Sequence, residues 1–168
     1  MTLSITGGES DKSGFCVFAG GYATGDATGT VYTVDSVTVD IEGGVWTNYT
    51  TDHDGAYTWV DWVEAHGGRG IFGGIMTSGV EAQVLGDVNI TISGDETTMG
   101  NVYGGGWAQK GGTSIVGDVN INIEGGTVTN VFGGGSTSST APGGSTVAEN
   151  VTITIKGSVL PRRSGLPR

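Results

Sequence analysis

Apolar and polar residues alternate strictly in several short stretches of this chain, and two of those stretches are almost identical. Val88, Ile90 and Ile92 point one way while Asn89, Thr91 and Ser93 point the other. Val119, Ile121 and Ile123 oppose Asn120, Asn122 and Glu124 in the same manner. Looser copies set Val37, Val39 and Ile41 against Thr38, Asp40 and Glu42, and Val151, Ile153 and Ile155 against Thr152, Thr154 and Lys156. A period of two with β-branched residues predicts a half-buried strand. Such a strand is too short to bury its face alone, whereas equivalent strands stacked about 4.8 Å apart bury their faces together.

The alternating strand belongs to a longer unit. Gly86-Asp87-Val88-Asn89-Ile90-Thr91-Ile92 leads on to Asn101-Val102-Tyr103-Gly104-Gly105-Gly106. Gly117-Asp118-Val119-Asn120-Ile121-Asn122-Ile123 leads on to Asn130-Val131-Phe132-Gly133-Gly134-Gly135. With Ile5, Ile41, Ile92, Ile123 and Ile155 taken as equivalent, the spacings are 36, 51, 31 and 32 residues. Self-similarity at this period is the mark of a solenoid. A second strand centres on Val102 and Val131, and a weaker third covers Thr113–Val116 and Val80–Leu85. The predicted fold is all-β: a parallel β-helix of four to five rungs, with three short strands per rung. One domain spans residues 1–157, with units over 1–36, 37–87, 88–118 and 119–150 and a partial unit over 151–157. Residues 158–168 form a basic tail or linker.

Two columns follow from this alignment. Ser36, Asp87, Asp118 and Asn150 share the corner before the first strand. Asx side chains there cap turns through nearby backbone amides. A calcium site between Asp87 and Asp118 is the sharper alternative, but calcium takes six to eight oxygen ligands, more than two carboxylates supply. Calcium is the one cofactor the sequence raises. Phe18, Phe72, Tyr103 and Phe132 form the second column, each preceded by an aliphatic residue (Val17, Ile71, Val102, Val131). Alternation sends rings and aliphatics to opposite faces. With the aliphatics inward, the rings make an exposed strip, a ligand platform. If the backbone bends at the glycines, the rings also turn inward and stack, which is the commoner outcome.

Composition narrows the function. The 34 glycines cluster after apolar runs and punctuate strands. Net charge is −10, yet the last 13 residues hold four bases and no acid. An acidic body argues against nucleic acid and anionic membranes as partners. No apolar run reaches membrane-spanning length, so no membrane insertion is expected. Cys16 is the only cysteine, so no internal disulfide forms.

The second unit is longer than its neighbours, and residues 46–66 break the repeat. This insertion holds three of the four tryptophans and both histidines. Insertions in solenoids map to loops on one face, often the binding face. Thr58 followed by Asp61 resembles a capping box and predicts a short helix over Trp59–His66. Its aromatic stripe (Trp59, Trp62, Val63, His66) reads first as packing over a flank of the coil. The binding alternative uses Trp46, Tyr49, Tyr57, Trp59 and Trp62 to stack on sugar faces, with Asp52 and Asp54 taking hydroxyls. Asp52, His53, Asp54 and His66 are a weaker metal candidate, since neither His-x-x-His nor HExxH spacing occurs. A hydrolase needs two carboxylates facing each other at about 5–9.5 Å. Asp52, Asp54, Asp61 and Glu64 supply acids, but no spacing singles out a pair.

The string Gly-Asp-Val-Asn-Ile-x-Ile followed by Asn-Val-Tyr/Phe-Gly-Gly-Gly resembles the glycine-rich repeats of large adhesin-like surface proteins of gut Firmicutes. The resemblance is close over residues 84–135, loose over 1–45, 67–83 and 136–157, and absent in the insertion. It implies a secreted or wall-attached β-solenoid, extracellular or at the cell surface, with no catalytic residues to carry over. The sequence therefore raises three functions: a non-enzymatic module binding glycan or another surface ligand, a structural protein, and a polysaccharide-degrading enzyme. The structural reading rests on the repeat beginning and ending with a first strand, which suits a piece of a longer array or units meeting head to tail in a filament.

Overall fold

The computed structural model describes residues 1–9, 16–25, 31–46, 70–138 and 141–156. These residues form a β-solenoid, with no helix among them. The first circuit contains β1 (Thr2–Ile5), β2 (Cys16–Phe18), β3 (Tyr22–Thr24) and β4 (Val31–Val34). The second contains β5 (Val37–Glu42), β6 (Val45–Trp46), β7 (Gly70–Phe72), β8 (Met76–Ser78) and β9 (Glu81–Val84). The third contains β10 (Val88–Ser93), β11 (Thr98–Tyr103), β12 (Trp107–Gln109) and β13 (Thr113–Val116). The fourth contains β14 (Val119–Ile123), β15 (Thr127–Phe132), β16 (Ser136–Thr137) and β17 (Gly144–Val147), and β18 (Val151–Ile155) follows.

Equivalent strands stack into four parallel sheets. The first runs β1-β5-β10-β14-β18. The second runs β2-β7-β11-β15 with β6 also on β11, the third β3-β8-β12-β16, and the fourth β4-β9-β13-β17. Ile5, Ile41, Ile92, Ile123 and Ile155 lie in register as successive neighbours. Each complete circuit thus has four sides, where the sequence suggested three. The added side is the third sheet, whose strands of two or three residues are too short to show a period.

The interior is an aliphatic column. Val37, Val39, Val88, Ile90, Ile92, Val119 and Ile121 are fully buried, joined by Ile71 and Val102 from the second sheet and Val84 and Val116 from the fourth. Burying each such side chain contributes about 1.5–3 kcal/mol, and stacking in register is what makes that burial complete. At the corner before the first sheet, Asp118 accepts hydrogen bonds from the Asn150 backbone N–H (2.9 Å) and side-chain Nδ2 (3.2 Å). That contact ties one circuit to the next, in the manner of a turn ladder. Outside the coil, Asn120 donates to Asn89 at 3.1 Å and Asn130 to Asn101 at 2.9 Å.

The second sheet is interrupted in one circuit. Strand β11 is continuous, but its partners in the circuit below are two pieces: Trp46 of β6 aligns with Met99, and Ile71 of β7 with Val102. Gly100 and Asn101 of β11 stand where the lower circuit has residues 47–70. The aromatic insertion therefore leaves and re-enters the second sheet within the span of one strand.

Candidate functional site

The four aromatic residues of the repeat stack as a ladder on the second sheet. Ring centroids are 5.0 Å apart from Phe18 to Phe72, 4.3 Å from Phe72 to Tyr103 and 4.7 Å from Tyr103 to Phe132. Phe72 and Tyr103 are within 2° of parallel. The preceding aliphatics, Ile71 and Val102, point into the coil, so the rings lie on its outer side. The middle two are nonetheless covered, while Phe132 at one end is 43% exposed. Phe72 is fully buried and Tyr103 only 7% exposed, in a cluster separate from the aliphatic core that also holds Met76 and Trp107.

The glycines explain how an outer face becomes buried. Trp107 follows Tyr103 by four residues across Gly104-Gly105-Gly106, and its ring lies 5.9 Å from that of Phe72. The chain bends there so that the outer faces of the second and third sheets meet in a seam. The bend needs backbones to pass very close. A Cβ on Gly105 would lie 2.6 Å from the Gly135 nitrogen, and one on Gly74 would lie 2.5 Å from that of Gly106. The middle rings thus neither form a bare strip nor enter the interior; they fill the seam.

Burial has an electrostatic consequence for the one tyrosine in the ladder. It pushes the Tyr103 phenol above its ordinary value of 10.0, and the neighbouring Cys16, charged when it loses its proton, adds to the rise.

At the end of the seam nearer the first circuit, the cover stops and a cavity of about 540 Å³ opens. Phe18, Tyr22 and Met76 make its apolar wall, and Tyr22 is 59% exposed. Thr24, Ser78, Gln109 and Lys110 supply its polar groups. Three circuits contribute, brought together by the pairing of Tyr22, Met76 and Trp107, and of Thr24, Ser78 and Gln109, on the third sheet. The volume lies within the ~300–1,000 Å³ usual for small-ligand sites.

The residues proposed from sequence fall elsewhere. Trp46 ends β6 rather than opening a loop. Its indole N–H donates to the Gly43 carbonyl at 3.0 Å, and the half-buried ring packs on the aliphatic core. Tyr49, Asp52, Asp54, Tyr57, Trp59 and Trp62 lie outside the described residues, as do His53, His66, the expected helix and the basic tail. Among the described residues, no three His, Cys, Asp or Glu side chains converge.

Sequence reasoning singled out Phe18 as a ladder residue and missed the rest of the cavity lining. One signal was available. Tyr22, Met76, Trp107 and Ser136 each follow a ladder aromatic by four residues. That is a second column facing the first across the glycines. Comparison of this chain with protein-family models, curated proteins and solved structures found no match.

Proposed function

We propose that this chain is a non-enzymatic β-solenoid binding module, extracellular or at the cell surface, that takes up glycan or another surface ligand on the side of the second sheet. One observation carries the reading: the aromatic ladder sits on the outer side of the same sheet from which the aromatic insertion departs. Of the ladder rings, Phe132 is 43% exposed and can stack on the apolar face of a sugar, and insertions in solenoids often form the binding face. A hydrolytic role has less support. It calls for two facing carboxylates, whereas the cavity wall offers hydroxyls, an amide and an amine.

Binding to an immobilised glycan array tests the proposal. The wild-type chain is expected to retain a defined subset of glycans, and Trp59→Ala and Trp62→Ala variants to lose some or all of them. A folded wild-type chain that retains no glycan would remove the glycan reading.

A further inference from the structure

The cavity at the open end of the aromatic seam has a chemistry of its own. Its floor contains two polar side chains that are more than nine-tenths buried, Ser78 and Gln109. Neither side chain has a hydrogen-bond partner among the described residues. Both line the cavity, so a ligand there can supply their hydrogen-bond partners. The largely exposed Tyr22 in the aromatic wall beside them presents a π-face that suits the C–H surface of a pyranose ring. Hydroxyl and amide groups next to such a wall match the hydroxyls on the rim of that ring.

Lys110 adds charge. The other described lysine, Lys156, is paired with Glu124 at 2.6 Å, whereas Lys110 has no ion pair among the described residues. It is a cation at a cavity mouth in a chain of net charge −10. Its backbone is also unusual. Lys110 has φ 50°, the one non-glycine residue with positive φ among those described, and the equivalent position in the circuit below is Gly79 with φ 72°. A residue other than glycine is strained there, a pattern that clusters at ligand clamps.

Resting on the binding-module reading above, we infer that this cavity binds an acidic saccharide, a pyranose bearing a carboxylate. The ring stacks on Tyr22, its hydroxyls bond Ser78 and Gln109, and its carboxylate meets the Lys110 ammonium.

Titration calorimetry with the full chain tests this, using trigalacturonate, a glucuronate-terminated trisaccharide and a sialylated trisaccharide, each beside its carboxyl methyl ester. At least one acid is expected to bind roughly five- to tenfold more tightly than its ester, the size of one charge-assisted contact at a partly exposed site. Lys110→Gly should erase that preference while leaving the melting temperature unchanged or raised, because glycine suits the backbone there. Tyr22→Ala should weaken acid and ester alike by tenfold or more. Equal affinity for acid and ester, or a preference that survives Lys110→Gly, would overturn the inference. So would binding that depends on Trp59 and Trp62 but is untouched by Lys110→Gly and Tyr22→Ala, although the binding-module reading would then stand. No binding to any of these probes overturns the inference, and an empty glycan array removes the broader reading with it.

Discussion

Two interior hydroxyls show how one residue can depart from its column at a cost. Thr77 and Ser114 are buried in the coil, and neither side-chain oxygen has a partner among the described residues. Thr77 lies in register between Ala23 and Ala108, and Ser114 between Ala82 and Ser145. Each buried hydroxyl without a partner costs about 1–3 kcal/mol. Thr77→Val and Ser114→Ala are therefore each expected to raise stability by about 1 kcal/mol, read as a higher urea midpoint at unchanged slope. Tyr103 gives a prediction in pH. Burial favours its neutral phenol, so the folded chain holds that proton more tightly than the unfolded one. This contribution is complete below pH 10 and is lost as pH climbs from 10.0 through the raised value. Tyr103→Phe should flatten the fall in urea midpoint between pH 9 and 11 relative to wild type.

At the level of elements, the first sheet was legible because β-branched residues at period two recur at nearly constant spacing. Val88, Ile90 and Ile92 pair with Val119, Ile121 and Ile123 as that spacing requires. The third sheet was not legible, since strands such as Trp107–Gln109 are shorter than any detectable period. The side taken by the aromatic column was also hidden. Alternation separates Val102 from Tyr103, but the bend at Gly104–Gly106 decides whether the ring is covered. The cavity draws Tyr22, Ser78 and Lys110 from three circuits, so no local stretch of sequence announces it. The split second sheet gives an element-scale prediction. Replacing residues 47–70 with Gly-Asn, the residues that continue β11 at this point, should leave a cooperatively folded coil. Its circular dichroism should keep the strand signal, with a stability within about 1–2 kcal/mol of wild type, the order of a typical single substitution. Loss of folding would mean that the insertion is part of the core rather than an attachment to it.

Across the whole molecule, two packed regions run side by side along the coil axis. One is the aliphatic interior enclosed by four sheets, and the other is the aromatic seam outside it. Every pairing between the described strands is parallel, and it joins strands one circuit apart. Asn89 and Asn120, bonded across adjacent circuits, are 31 residues apart in the chain. Among the described strands, folding therefore has no hairpin to begin from. The smallest nucleus must close a loop of a full circuit, about 2 kcal/mol costlier in entropy than a four-residue turn. The described strands of a nascent chain stay unpaired until two circuits have been synthesised, and refolding belongs to the slow, milliseconds-to-seconds class of proteins built on distant contacts.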